Sequence, residues 1–179
     1  GRERGAAGKI LDTIIERGAS AGNITSNGQQ LQAQSKVFQT QFNSANWDGE
    51  LFAYSITASG VADTPAWRAS TLLPAAASRN IFTWKDSVTK GIEFQWSNLS
   101  ATQQASLGNS AVLNYLRGSQ VNEIQYGGTL RTRAKRLGDI VHSSPYYVED
   151  TDTVYVGGND GMLHAFSGST GVEQFAYIP

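Results

Sequence analysis

The chain has 179 residues, of which 16% are charged, and its formal net charge is -1. This length can bury a hydrophobic core without covalent staples, while the near-neutral charge offers no field that would hold nucleic acid or an anionic membrane. There are no cysteines, which excludes disulfides, thiolate metal sites and a cysteine nucleophile but does not settle the compartment. No apolar run approaches the roughly 20 residues that a membrane span needs. Because the chain starts with neither a methionine nor a signal peptide, we expect a fragment.

A short amphipathic helix is predicted near the amino terminus, over residues 8–17. Its apolar residues recur at helical spacing, and Gly18 supplies a stop. Residues 19–35 are rich in Ser, Asn, Gln and Gly, which favours a linker or an extended connection. We therefore take residues 1–35 as an amino-terminal helix and linker.

From Lys36 onwards the apolar residues alternate with a period of two, which predicts a β-hairpin. Its strands lie within residues 37–42 and 51–56, and the pair Asp48–Gly49 accepts the positive φ of a tight turn. Trp47 at this turn is predicted to fold back onto the sheet.

The next segment is predicted to be mostly loop and then strand. Residues 59–77 carry two prolines and little alternation, although the indole of Trp67 should be buried. Two short strands follow, over residues 80–84 and 91–96, with a turn between them. Four aromatic residues are expected to pair across these strands or on one face: Phe82, Trp84, Phe94 and Trp96.

Two short helices are predicted before residue 120. Ser100 and Gln103 form a capping box for a helix that runs to about Leu107. Ser110 is expected to cap a second helix over residues 111–116. Residues 121–135 favour a loop or a weak hairpin, so residues 36–135 form a β-rich region with two short helices.

The carboxyl-terminal stretch, residues 136–179, has the clearest pattern. Strands are predicted over residues 146–148, 153–156, 162–166 and 174–178, separated by residues that accept turn geometry. Closely spaced antiparallel strands of this kind build one blade of a β-propeller. The predicted fold class is mainly β with short helices (α+β): hairpins lead into a first blade, and the propeller is incomplete in this chain.

Several blocks of sequence resemble known proteins. Residues 157–166, GGNDGMLHAF, followed by Thr170–Gly171, are similar to the repeat of quinoprotein-type β-propellers. The preceding RLGDIVHSSP at 136–145 and the closing FAYIP at 175–179 resemble the PilC/PilY family of type IV pilus proteins. Further blocks occur in the order which that family shows: residues 42–51, 78–81 and 114–118.

The resemblance implies a non-enzymatic protein that supports pilus assembly, counters retraction and acts in adhesion at the pilus tip. It implies export to the cell surface and contacts with minor pilins or other tip subunits, with the remaining propeller blades, and with a host or surface receptor. Neither nucleic acid nor a membrane span is expected. By position, residues 1–35 would end a von Willebrand A-like domain. Some members bind calcium in the propeller, so calcium is expected only in the portion missing here, and no cofactor in this fragment.

No catalytic, cofactor-binding or metal-binding residue is predicted. His164 lies in an apolar strand, where a hydrogen-bonded core role is favoured over metal ligation. His142 precedes Ser143–Ser144, but adjacent residues on an extended segment point to opposite faces and cannot form a triad. Asp48 and Glu50 could form a carboxylate pair, yet a solvated hairpin end explains them equally well.

Other polar groups also have a structural interpretation. Asp150 and Asp152 precede Asn159–Asp160–Gly161, but strand residues intervene and no bidentate glutamate follows, so a calcium site is not favoured. Gly157–Gly158 lack the helix that a phosphate cradle requires. One basic cluster is expected to lie along a strand or on a solvated face and is not assigned as an anion site: Arg131, Arg133, Lys135 and Arg136.

Two alternative functions stay open at this point. One is a fragment of a quinoprotein dehydrogenase, since the blade repeat is shared with such enzymes. The other is an extracellular glycan-binding module, which would need exposed tryptophans, whereas we expect at least three of the four to be buried: Trp47, Trp67, Trp84 and Trp96. A lone blade would also expose strand edges from Tyr146 onwards, to be covered by other blades, by a borrowed strand or by self-association.

Overall fold

The computed structural model describes residues 24–26, 35–85 and 89–179. The predicted helix over residues 8–17 lies outside the described residues. Within them the chain forms a five-stranded and a six-stranded β-sheet with short helices, so the mainly β fold class is confirmed. No helix in the described part of the chain is long and apolar enough to cross a membrane.

The five-stranded sheet is built around the predicted hairpin, which is confirmed. Its strands are β1 (Ile24–Ser26), β2 (Lys36–Asn43), β3 (Asp48–Thr57), β4 (Gly60–Val61) and β5 (Trp67–Arg68). They pair in the order β1-β2-β3-β4, and β5 pairs with β3 as well. The segment from 59 to 77, expected to be mostly loop, therefore contains two short strands, a single helical turn α1 (Ala69–Leu72) and a 3-10 turn at Ala76–Ser78.

The hairpin turn covers residues 44–47, which lie within the predicted turn over residues 43–49 but do not include Asp48–Gly49. The Asn43 side-chain oxygen accepts a hydrogen bond from the Ala45 amide at 3.0 Å, and Trp47 takes the left-handed conformation with φ 52°. Asp48 and Gly49 are already paired in β3. Gly49 is required by close approach, because a Cβ there would lie 2.3 Å from the carbonyl oxygen of Gly138.

The six-stranded sheet contains the four predicted carboxyl-terminal strands, which are confirmed as an antiparallel meander. They are β8 (Tyr146–Val148), β9 (Thr153–Gly157), β10 (Leu163–Ser167) and β11 (Glu173–Ile178). Two strands from earlier in the chain join them, β6 (Ile81–Lys85) and β7 (Lys90–Glu93), giving the order β7-β6-β11-β10-β9-β8. The described residues do not close into a propeller.

Strand β6 runs parallel to β11, pairing Phe82 with Tyr177. It covers the edge of β11 that a lone blade would expose, so the chain itself supplies the borrowed strand. The expected aromatic pairing across β6 and β7 is wrong: Phe82 lies opposite Glu93, and Trp84 lies opposite Gly91. Phe94 instead packs in the core beside Ile81, and its amide donates to the Ile81 carbonyl at 2.7 Å.

The helices α2 (Ala101–Leu107) and α3 (Ser110–Leu116) confirm the two predicted helices. The capping box is present: the Ser100 hydroxyl accepts from the Gln103 amide and the Gln103 side chain accepts from the Ser100 amide. The predicted cap of α3 is one residue too late, because the Asn109 side chain accepts from the amides of Ala111 and Val112.

Two hydrophobic clusters hold these layers together. The larger one joins the two sheets and includes Phe38, Leu51, Trp67, Val154 and Phe166. As expected, Trp67 is buried, and its indole nitrogen donates to the Gly168 carbonyl at 3.0 Å. The second cluster lies where the helices cover β6 and β11: Ile81, Phe94, Leu99, Leu113, Met162 and Ala176.

Candidate functional site

The candidate residues meet where one extended segment passes between two turns. Gly138 bridges to Asp48 at the start of β3, and its amide donates to the Asp160 carboxylate at 3.1 Å. On the same side the Asn159 amide donates to the Asp139 carbonyl at 2.9 Å. A Cβ at Gly138 would come within 2.7 Å of the Asp160 side chain, so this segment has to be glycine to fit.

A buried ionic network lies directly behind this junction, composed of Arg79, Asp160, His164 and Glu173. The guanidinium of Arg79 donates to both carboxylate oxygens of Glu173, at 2.6 and 2.8 Å. His164 Nδ1 is 2.8 Å from Glu173 Oε1, and His164 Nε2 is 3.1 Å from each carboxylate oxygen of Asp160. His164 is fully buried, and Arg79 and Glu173 are nearly so.

The network shifts the protonation of its members. Burial alone would lower the pKa of His164, but the Asp160 carboxylate and the hydrogen bonds to Asp160 and Glu173 raise that pKa to about 9. Burial would raise the pKa of Glu173, yet the hydrogen bonds from Arg79 and His164 lower it. At neutral pH two cations therefore face two carboxylates, which keeps the buried group neutral overall.

The expectation that His164 is a hydrogen-bonded core residue is confirmed. Both ring nitrogens already contact carboxylates, so the imidazole has no free nitrogen with which to activate a nucleophile. Sequence reasoning missed Arg79 and Glu173 as its partners. The two residues are 94 positions apart, and no local pattern indicates that they pair.

Of the two explanations for Asp48 and Glu50, the solvated hairpin end is wrong, since they are only 2% and 3% exposed. Lys135 lies between them, with its ammonium 3.3 Å from Asp48 and 3.4 Å from Glu50. Glu50 also accepts from the amide and the hydroxyl of Ser70. Asp48 Oδ1 is fully enclosed and has that ion pair but no hydrogen bond, so one ammonium serves two buried carboxylates.

The basic cluster over residues 131–136 lies neither along a strand nor, for most of its members, on a solvated face. Arg133 pairs with the buried Glu123 at 2.8 Å, stacks 3.6 Å above the Tyr115 ring and donates to two carbonyls. Burial alone would raise the pKa of Glu123, but the hydrogen bonds from Arg133 lower it. Arg136 donates to the carbonyls of Leu73 and Pro74, both at 2.6 Å. Arg131 alone of the four is exposed.

A cleft of about 250 Å³ opens beside this cluster. It is lined by Trp47 from the hairpin turn, by Arg131 and Lys135 from the basic segment, and by Tyr115. Asp139 and Asn159 line the side next to the buried network, joined to each other by a 2.7 Å hydrogen bond. We refer to these six residues as the aromatic cleft.

The remaining candidates have structural partners. Ser143 accepts from the Gly157 amide at 2.9 Å, while His142 is exposed. Asp152 accepts from the Tyr147 hydroxyl at 3.1 Å and from the Ser169 amide at 2.9 Å. Within residues 24–26, 35–85 and 89–179, no group of three or more His, Asp or Glu side chains is placed to hold a metal ion. That no residue here is catalytic or cofactor-binding stays a prediction.

The expected burial of three of the four tryptophans is wrong. Trp67 is buried, but Trp47 is 60% and Trp84 42% exposed, and Trp96 is only half-buried. Trp47 does contact the sheet as predicted, since its ring meets that of Phe42 at 5.9 Å. Two indoles therefore remain available to other molecules.

Comparison with known proteins gives one consistent group of relatives. A type IV pilus biogenesis factor PilY1 homolog of Xylella fastidiosa strain Temecula1 is 35% identical over 190 residues, which cover 91% of this chain and 15% of that relative. The type IV pilus biogenesis factor PilY1 of Pseudomonas aeruginosa strain UCBPP-PA14 is 32% identical over 226 residues, covering 97% of this chain and 19% of that protein. The chain thus spans less than a fifth of either relative. No family model and no solved structure matches it.

Proposed function

Because this chain is homologous over nearly its whole length to a segment of the PilY1 type IV pilus biogenesis factors, we propose that it is a non-enzymatic part of such a factor. In this role it acts at the pilus tip on the cell surface, supporting assembly, opposing retraction and contributing to adhesion. Its partners are minor pilins or other tip subunits. The observation that carries the proposal is the 35% identity over 91% of the chain.

The structure supports a more specific role for the six-stranded sheet, as one blade of a β-propeller. One of its faces packs on the two hydrophobic clusters. The other, the outer face, is rich in rings and aliphatic side chains: Phe82, Trp84, Tyr146, Tyr155, Leu163, Phe175 and Tyr177. Register places them together, since Tyr146 lies opposite Tyr155 and Leu163 opposite Tyr177.

The outer face is too apolar for a surface that contacts only water. Tyr146 is 68% exposed, and Leu163 and Trp84 are each 42% exposed. Phe175 makes edge contacts with Phe82 at 6.4 Å and Tyr155 at 6.2 Å, so the rings form one continuous surface. A flat apolar sheet face is best covered by another sheet about 10 Å away. We assign that place to a following blade of the parent protein.

An exchange of segments in Pseudomonas aeruginosa tests both levels of the proposal. The homologous segment of PilY1 is replaced by this chain, and surface pili and twitching are measured beside a strain lacking the segment. We expect the chimera to restore both. A chimera that accumulates in the cell envelope but gives no more pili than the deletion strain would contradict the role in pilus biogenesis.

Two matched variants of the chimera test the blade. Leu163 on the outer face and Val172 in the turn before β11 are 42% and 41% exposed. Leu163→Lys should abolish surface pili because it places a charge between packed sheets, whereas Val172→Lys should leave them unchanged. If the two variants behave alike, the blade assignment fails while the role in pilus biogenesis stands.

A further inference from the structure

The aromatic cleft contains two exposed side chains, Trp47 and Arg131, that take no part in the buried ionic network. Trp47 has the left-handed φ of 52°, in which a bulky side chain is strained, and its indole is 60% exposed. The Trp47 ring is in edge contact with that of Phe42 at 5.9 Å, and Trp47 lines the cleft. Strain of this kind persists where the surrounding structure holds it, and it concentrates at ligand-binding sites.

The charged side chains that line the cleft are mainly positive: Arg131, Arg133, Lys135 and Arg136, against Asp139 and Asp160. Arg131 is exposed, and within the described part of the chain no carboxylate forms an ion pair with its guanidinium. The side chain of Lys135 is 34% exposed, whereas its partners Asp48 and Glu50 are 3% and 4% exposed. The carboxylates of the cleft are less accessible, since Asp139 is 8% exposed and accepts from the Asn159 side chain, and the Asp160 side chain is 16% exposed and pairs with His164. The more accessible cations therefore favour an anionic ligand.

Asp139 and Asn159 add hydrogen-bonding groups to the cleft lining. Asn159 is exposed, and its amide nitrogen donates to Asp139 at 2.7 Å, which leaves its amide oxygen as the acceptor for a ligand. A volume of about 250 Å³ lies below the usual range for drug-sized ligands. It suits one ring-sized unit, and two accessible cations in a chain of net charge -1 are too few for nucleic acid.

We propose that the aromatic cleft binds a saccharide that carries a carboxylate, of the uronic or sialic acid class. The C–H face of the sugar ring stacks on the Trp47 indole, and its carboxylate pairs with the guanidinium of Arg131. Lys135 and Asn159 bind the hydroxyl groups. This binding activity goes beyond pilus biogenesis and does not depend on it, because the site lies within the described residues of this one chain.

The test is a ligand-observed NMR titration of the 179-residue chain with glucuronic acid, N-acetylneuraminic acid and glucose. At least one acidic sugar should bind about ten-fold more tightly than glucose. Arg131→Gln should reduce the affinity for the acidic sugar to that for glucose. Trp47→Ala should weaken the binding of the acidic sugar and of glucose by at least about ten-fold each.

Two controls match the exposure and chemistry of the tested residues. Trp84→Ala removes an exposed indole from the outer face, and Arg68→Gln removes an exposed guanidinium that lies over the Phe52 ring on the other sheet. Both should change the affinity by less than about two-fold. The proposal is overturned if neither acidic sugar binds, if glucose binds equally well, or if the controls weaken binding as much as the cleft variants.

Discussion

Each face of the six-stranded sheet carries some groups that are usually found on the opposite side of a sheet. The inner face carries His164 and Glu173, both buried and joined to Arg79 and Asp160. The outer face exposes Tyr146, which is 68% accessible, together with the other rings and Leu163. Buried polarity and exposed apolar surface are the informative exceptions to the burial rule.

The difference is that, within the described residues, only the inner face of this sheet is covered by other parts of the chain. On the inner face every ionisable member of the network has a partner of opposite charge, and the contacts tie together segments 94 residues apart. On the outer face the rings contact mainly each other. A satisfied inner network fixes one arrangement of the chain, while the outer face favours a further packing partner.

Breaking the inner network should give the largest effect on stability. Glu173→Gln leaves the buried Arg79 and His164 without their shared carboxylate and should lower the free energy of unfolding by about 3–5 kcal/mol. Urea denaturation measures this loss. The control is Glu149→Gln at an exposed position, which should change stability by no more than about 0.5 kcal/mol. A loss below about 1 kcal/mol in Glu173→Gln would show that the network does not hold the sheet.

Truncating one aliphatic side chain to alanine on each face compares how much each face contributes to stability. Ile81 is 1% exposed on the inner face and Leu163 is 42% exposed on the outer face. Ile81→Ala should cost about 3 kcal/mol because it leaves a cavity, and Leu163→Ala about 1 kcal/mol. Equal losses in thermal or urea unfolding would mean that the isolated chain already covers its outer face.

The inner network also predicts loss of stability in alkaline solution. The pKa of His164 is about 9 in the folded chain against an ordinary 6.5, so its contribution is complete below pH 6.5 and disappears as the pH rises through 9. The total loss should be about 3 kcal/mol. His164→Gln, less stable throughout, should lose this dependence. Parallel stability curves for the two proteins between pH 6 and 10 would refute the assignment.

The smallest effect concerns the rings of the outer face. A double-mutant cycle on Phe82→Ala and Phe175→Ala should give a coupling free energy of about 0.5–1 kcal/mol, because the two rings are in edge contact at 6.4 Å. The pair Phe82 and Tyr146, which lie on β6 and on the far edge strand β8, should be additive. Coupling in the second pair but not in the first would contradict the described arrangement.

Local sequence determined the elements whose partners are near in the chain. The hairpin of β2 and β3, the four strands from Tyr146 onwards and the Ser100 capping box all follow from alternation, turn residues and a four-residue motif. The block order also identified the group of relatives. Errors at this level were small, such as the cap at Asn109 in place of Ser110.

Tertiary structure alone decided the contacts between distant segments. The parallel pairing of β6 with β11, the partners of His164 and the burial of Asp48 and Glu50 beneath Lys135 each join residues far apart in sequence. From the sequence a charged residue is expected to be solvated, because the distant counter-charge that offsets its desolvation is not apparent there. An aromatic residue is expected to be buried, but whether it is depends on which face of the sheet other residues cover. The sequence therefore predicted the strands, and only the structure showed which face holds the buried charges and which holds the exposed rings.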